Sequence, residues 1–209
     1  MADMRKQQER EELHRAVWAI TDELRDSVDG WDFKSYTLGT MFYRYISENL
    51  TEYINAGEIA AGNASFDYAK LSDMEAEEAR DGLVQEKSFC MLPSELFCNV
   101  RSRAPQDKNL NETLEKGFHH IEDSAKGSSS EQCFSGLFDD FDTNSNKLGA
   151  TVAKRNEKLV KLLGGIGSLN LGAVLGHSID TYEFLMTMYA SNAGKSGGEF
   201  SLPSMCRNC

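Results

Sequence analysis

Proline and long hydrophobic runs are both scarce in this chain. Its 209 residues include three prolines, and apolar and aromatic residues are spread along most of its length, which is typical of a folded protein and not of a disordered one. No apolar run approaches the roughly 20 residues that a membrane span requires. The charged stretch over residues 1–12 is unlike a signal peptide. We therefore expect a cytoplasmic protein with no membrane segment.

Basic charge is also in short supply. The formal net charge is −11, and a chain this acidic repels a phosphate backbone at long range. The charge argues against DNA binding by the chain alone. The same net charge is compatible with a local basic face that contacts DNA, or with a basic partner protein that holds the chain near DNA.

One segment departs from this acidity and supplies the candidate contact residues Lys154, Arg155, Lys158 and Lys161. The i, i+4, i+7 spacing of the three lysines places them on a single helix face. A solvated face explains the pattern, and so does a contact with DNA or an acidic partner.

Patterns that would carry chemistry are incomplete. The five cysteines are odd in number, and the C-x-x-C pair Cys206 and Cys209 lacks a second pair for a metal, so we expect reduced thiols. Residues 140–146 resemble the start of a calcium loop, but Ser145 and Thr151 replace its glycine and glutamate, which favours a polar turn. No Ser/His/Asp or Cys/His arrangement is defensible. We predict no catalytic, cofactor-binding or metal residues.

Apolar residues recur at helical spacing, and no segment shows the alternation of a strand. The fold class is therefore all-α, an irregular multi-helix bundle. The predicted helices cover residues 4–27, 32–55, 72–86, 93–103, a segment from Asn109 or Asn111 to about 125, 151–165 and 178–190.

The helix ends carry their own signals. Asp32 and Thr151 are predicted N-caps, and Ser72 with Glu75 forms a capping box. The glycines over 164–167 predict a helix stop. Residues 56–67 are expected to form a loop. Two apolar groups are expected inside: a stripe of Tyr36, Met41, Phe42, Tyr45, Ile46, Leu50 and Tyr53, and a knot of Phe134, Leu137, Phe138 and Phe141.

Two segments resemble a known family. The first runs from Trp18 to Tyr36 and continues as LGTMFYRYISEN over Leu38–Asn49; the second is DTYEFL over Asp180–Leu185, followed by ASNAGKSGGEF over Ala190–Phe200. Both are similar to the modification subunits of type I restriction–modification systems, and the likeness covers residues 18–200.

The resemblance implies a helical N-terminal domain, here residues 1–190, ahead of a Rossmann-like adenine-N6 methyltransferase domain that uses S-adenosylmethionine. In the family an aromatic residue and Thr-Pro follow GEF and help hold the cofactor. Here Ser201 and Leu202 replace the first two of these. Gly198, Glu199, Phe200 and Pro203 are therefore only a vestige of that junction.

The family's Asn-Pro-Pro-aromatic catalytic motif has no counterpart in residues 191–209. Back-translation of Ser201–Cys209 with one base restored gives a reading frame close to the family pattern. We hypothesise that residues 191–209 are a glycine-rich junction with a frameshifted tail. We expect no catalysis and no bound cofactor in this chain itself.

The resemblance also implies partners: a specificity subunit, a second modification subunit and restriction subunits, in the bacterial cytoplasm. We expect this domain to help pack subunits and to close around DNA, which it meets only within the complex. The alternative is a stand-alone helical protein-interaction module.

Overall fold

The computed structural model describes residues 30–169, and within that range the chain is helical and contains no strand. This confirms the all-α prediction. The α-helices are α1 Gly30–Ala60, α2 Asp73–Glu77, α3 Arg80–Lys87, α4 Phe97–Arg103, α5 Leu110–Ser124, α6 Glu131–Phe134 and α7 Val152–Ser168. Two 3₁₀ turns, Tyr68–Lys70 and Pro93–Glu95, precede α2 and α4.

Several predicted features lie outside the described residues. These are the helices over 4–27 and 178–190, and the junction over 191–209 with Gly198, Glu199, Phe200 and Pro203. Among helices in residues 30–169, none has the length and hydropathy to cross a membrane.

The chain divides into two compact units, one of residues 43–144 and one of residues 1–42 with 145–209. The boundary in the sequence falls within α1, between Phe42 and Tyr43. The prediction of one helical domain over 1–190 stays a prediction.

Helix α1 is longer than predicted and ends at a glycine. Gly62 has a φ of 105°, its N–H donates to the Ile59 carbonyl at 3.0 Å, and the Asn63 N–H donates to the Glu58 carbonyl at 2.9 Å. These two bonds with a left-handed glycine are the Schellman ending. The loop prediction for 56–67 is therefore wrong over 56–60, because Gly62 is the residue that ends the helix.

The start of α1 also differs from the prediction. Asp32 lies inside α1, which already includes Gly30. A capping residue has non-helical backbone, so the prediction that Asp32 is the N-cap is wrong.

The core of the 43–144 unit is aromatic. Tyr43 meets Phe97 and Phe118 edge to face, at ring-centroid distances of 5.7 and 5.3 Å. Phe118 stacks on Phe138 at 4.1 Å and meets Phe141 edge to face at 5.1 Å. All four members of the predicted knot are buried, which confirms it: Phe134, Leu137, Phe138 and Phe141.

Local signals correctly locate the starts of α2 and α5 in this unit, whereas the helix predicted over 93–103 is a 3₁₀ turn, Pro93–Glu95, followed by α4 from Phe97. The Ser72 side chain accepts from the Glu75 N–H, and the Glu75 carboxylate accepts from the Ser72 N–H, as a capping box requires. Asn109 is the N-cap of α5, so the alternative start at Asn111 is wrong. The single helix predicted over 72–86 is in fact α2 and α3, separated at residues 78–79, where neither glycine nor proline marks the break.

In the other unit, α7 runs through the glycines that were expected to stop it. The helix continues past Gly164 and Gly165 to Ser168. Leu162, Leu163 and Ile166 are buried along one face across this stretch. Burial of these side chains outweighs the cost of about 1 kcal/mol for each helical glycine, so the predicted helix stop is wrong.

Candidate functional site

The amino end of α7 is held by the loop before it. The Thr151 side chain accepts from the Lys154 N–H at 3.3 Å, which confirms the predicted N-cap. Leu148 is buried, and Gly149 lies so close to the helix that an added Cβ would approach the Lys154 Cβ to 2.7 Å. The loop and the first turn of α7 therefore pack as one piece.

Arg155 completes this anchor. Its Nε donates to the Gly149 carbonyl and its Nη2 donates to the Asn146 side-chain oxygen, both at 2.9 Å. A residue advances about 100° around a helix, which turns Arg155 away from Lys154 and toward the buried side of α7. Arg155, one of the four candidate contact residues, is thus bound to the protein's own loop.

The three candidate lysines form a separate surface, here called the lysine face: Lys154, Lys158 and Lys161. Their helical spacing puts them on the side opposite the buried Leu159, Leu163 and Asn156. The rise of 1.5 Å per residue spreads them over about 10 Å along the axis. Lys154 and Lys161 are exposed, and Lys158 between them is partly covered.

Electrostatics on this face are mixed but net positive. The Lys161 Nζ lies 2.9 Å from the Glu157 carboxylate, a pair that is exposed and worth little in free energy. Burial, opposed by Glu157 and reinforced by Lys154 and Lys161, lowers the pKa of Lys158. Because α7 contains four cationic residues and one carboxylate, it carries a charge of +3 in a chain of −11.

The segment that resembles a calcium loop is a polar turn, as predicted. The Asp142 Oδ1 accepts from the Asn144 N–H at 2.9 Å, and the Asn144 side-chain amide donates to Glu115 at 3.0 Å. Over residues 30–169 no three His, Cys, Asp or Glu side chains are grouped so that they could hold a metal ion.

Two cysteine side chains are described, and both are free thiols. Burial raises the pKa of Cys90 to about 11, so at neutral pH it is a thiol and not the nucleophilic thiolate. Cys98 is exposed as a residue, but partial burial of its thiol also raises its pKa. Neither thiol is activated.

The sequence did not predict the anchoring role of Arg155 or the contact of His120 with Glu95. The His120 Nδ1 lies 2.7 Å from the Glu95 carboxylate, 25 residues away. No spacing rule connects residues this far apart.

Comparison with known proteins identifies the family. Residues 13–166 match the family model of the HsdM N-terminal domain. The type I restriction enzyme MpnII methylase subunit of Mycoplasma pneumoniae is 43% identical over 212 residues, which cover 96% of this chain and 39% of that protein. The type I restriction-modification system methyltransferase subunit from Streptococcus thermophilus has a crystal structure with 28% identity and a TM-score of 0.64, covering 93% of this chain and 41% of the other.

The chain thus spans about two fifths of the length of these relatives. Its helical fold, its sequence over residues 13–166 and its structural neighbour agree. The chain belongs to the HsdM N-terminal domain family, the amino-terminal part of type I restriction–modification methylase subunits.

Proposed function

We propose that this chain helps to assemble a type I methylase and to close it around DNA, with the lysine face contacting the phosphate backbone. The observation that carries the proposal is the local charge of α7. A +3 helix in a −11 chain is a marked local reversal of sign. Charge of this kind attracts a phosphate backbone once a complex has brought it near.

The side chains of this face suit phosphates better than bases. Lysine ammonium groups are compact point charges, whereas base edges are read mainly by planar Arg, Asn or Gln side chains in bidentate contacts. Arg155 would be the exception, but both of its donor contacts serve the loop at Gly149 and Asn146. The contact we propose is therefore independent of DNA sequence, and target choice belongs to another subunit.

We assign no catalytic step to this chain. The relatives carry the names methylase and methyltransferase, and this chain spans about two fifths of them. We expect adenine-N6 methylation with S-adenosylmethionine to be performed by the remaining part of such a subunit. The expected partners are the specificity subunit, a second modification subunit and the restriction subunit, in the bacterial cytoplasm.

The test is DNA binding by the chain co-expressed with the specificity subunit of its system. The triple variant K154Q/K158Q/K161Q removes the lysine face. Each lysine that neutralises a phosphate contributes about 0.9 to the slope of log K against log salt, so the slope should fall by up to about 2.7. Fluorescence anisotropy of labelled duplex DNA across a salt series measures it.

A matched control removes the same number of positive charges from a different part of the chain. The variant K70Q/K116Q/K126Q also removes three positive charges, from exposed lysines that each lie near an acidic residue three or four positions before. An equal loss of slope in this control would reject the lysine face as the contact. Failure of the unmodified chain to co-purify with the specificity subunit would instead favour the stand-alone interaction module.

A further inference from the structure

The three lysines of the lysine face are not held in the same way. Lys158 and Lys161 lie in the second and third turns of α7, where each backbone N–H has an acceptor within the helix. Lys154 lies in the first turn, where a helix offers its N–H groups no internal acceptor and frays most readily. The position of Lys154 therefore depends on what holds the first turn in place.

Charge makes this first turn weaker. Lys154 and Arg155 place two cations at the amino end of α7, and the first turn contains no acidic residue. The partial positive charge at the amino end of a helix disfavours cations there. Thr151 accepts from the Lys154 N–H with its side chain, at 3.3 Å, and from the Arg155 N–H with its carbonyl oxygen, at 3.0 Å. We expect a turn with this charge to fray unless further contacts hold it.

Arg155 supplies such contacts from its side chain. Its guanidinium group donates to the Gly149 carbonyl and to the Asn146 side-chain oxygen, both at 2.9 Å. Both acceptors are uncharged, so these bonds fix the guanidinium without neutralising it. A lysine ammonium in its place would keep the charge but has no planar fork with which to reach both acceptors. Arg155 therefore holds the loop and still contributes a positive charge to α7.

The loop that Arg155 holds is also in contact with Lys154. Gly149 has so little space that an added Cβ would lie 2.7 Å from the Lys154 Cβ and 3.1 Å from the Arg155 backbone nitrogen. Leu148, the residue before this glycine, is 1% exposed and fixes the loop in the core. The base of the Lys154 side chain is thus packed against a loop that is itself bound to Arg155.

We infer that Arg155 is a positioning residue for the phosphate contact: by tying residues 146–149 to the first turn of α7, it holds Lys154 in the lysine face. This inference rests on the function proposed for that face and adds that its members depend on different parts of the protein. Lys154 depends on the loop, whereas Lys158 and Lys161 depend on the buried side of the helix. Arg155 itself does not contact DNA.

Variants that change no charge test the inference in the chain co-expressed with the specificity subunit. N146A and R155K each remove a contact of the loop with α7 and keep every cation of the helix. We expect each to lower the slope of log K against log salt by up to about 0.9, the contribution of one lysine. Neither should have a further effect in K154Q, whereas both effects should persist in K158Q/K161Q. Fluorescence anisotropy of labelled duplex DNA across a salt series measures these slopes.

Hydrogen exchange of the same complex, followed by mass spectrometry without DNA, measures the first turn directly. Peptides that cover residues 152–155 should exchange about two- to tenfold faster in N146A and R155K, the range expected for the loss of one hydrogen bond. The control S168A removes a bond at the other end of α7, from the Ser168 hydroxyl to the Gly165 carbonyl. It should change neither the slope nor the exchange of residues 152–155.

The inference is overturned by unchanged exchange in N146A and R155K, or by an unchanged slope in both variants although K154Q lowers it. It is also overturned if N146A lowers the slope as much in K154Q as in the unmodified chain. An unchanged slope in K154Q itself would overturn the inference through the function proposed for the lysine face. Faster exchange in N146A would then show that the loop holds the first turn for stability alone.

Discussion

At the scale of single residues, Glu95 joins three parts of the 43–144 unit. Its carboxylate Oε2 accepts from the Leu92 N–H at 2.9 Å and lies 2.7 Å from the His120 Nδ1, while its carbonyl oxygen accepts from the Tyr43 hydroxyl. The 3₁₀ turn Pro93–Glu95 is thereby tied to both α1 and α5. The strength of this tie depends on the protonation of His120.

The hydrogen bond that His120 donates to the Glu95 carboxylate outweighs burial and raises the pKa of His120 above 6.5. A raised folded-state pKa means that the stabilising contribution is complete below pH 6.5 and is lost as pH rises through the folded value. We expect the free energy of unfolding to fall over this window in the wild type and to fall less in H120N. Urea unfolding from pH 5.5 to 8.5 measures both.

The adjacent His119 provides the control, because it is exposed and is not bonded to Glu95. H119N should retain the pH dependence of the wild type. Groups that act on His120 besides Glu95 are Glu77 and Arg80, while Asp123 on α5 is itself influenced by it. An unchanged pH dependence in H120N would show that the contact with Glu95 does not contribute.

Tyr43 tests the same contact from the side of α1. Burial raises the pKa of its hydroxyl, which therefore remains a donor at all ordinary pH values. Y43F keeps the ring against Phe97 and Phe118 but leaves the Glu95 carbonyl without this donor, at an expected cost of about 1–3 kcal/mol. Y43A should cost about 3–5 kcal/mol, because it also opens a cavity. Urea unfolding measures both variants, and equal losses of stability in Y43F and Y43A would contradict this division between the hydroxyl and the ring.

At the scale of elements, two glycines near the carboxyl end of α1 have different roles. Gly62 follows α1 with a φ of 105°, where an L-residue is strained, and Gly57 lies inside α1 with nothing within 4 Å of an added Cβ. G62A should destabilise by roughly 1–2 kcal/mol, whereas G57A should stabilise by up to about 1 kcal/mol. Thermal or urea unfolding of the G62A and G57A variants measures both changes in stability. A G62A variant as stable as the wild type would mean that the helix end is not held by this turn.

Helix α7 offers a second pair. G149A would force a Cβ against Lys154 and the Arg155 backbone, and we expect a loss of about 1–3 kcal/mol from overpacking. G164A adds a Cβ in open space within the helix and should stabilise by about 1 kcal/mol. A neutral G149A in urea unfolding would show that the loop can move away from the helix.

At the scale of the whole molecule, charge decides how the chain meets DNA. With a net charge of −11 the long-range field opposes association, although α7 is locally positive. We expect the chain alone to bind duplex DNA more weakly than about 10⁻⁴ M at physiological salt, the weak end of non-specific binding. Anisotropy of labelled duplex measures it; micromolar binding by the chain alone would contradict the expectation that it meets DNA only within a complex.

Sequence by itself determined the features whose physics is local. The capping box at Ser72 and the cap at Thr151 were readable because each is a bond between residues three positions apart. The aromatic knot was readable from composition and spacing. The family was readable from residues 18–49 and 180–200, and the comparison over residues 13–166 agrees with it.

Tertiary structure alone decided what depends on neighbours distant in the chain. The stripe predicted on α1 omitted Tyr43, which is buried and bonded 52 residues away to Glu95, and included Tyr53, which is exposed at 39%. Helical spacing gives the angle of a residue around its axis, but not which angle faces a neighbour. Arg155 was predicted as a candidate contact residue beside the three lysines, and only the folded structure shows that it donates to Gly149 and Asn146 of its own loop.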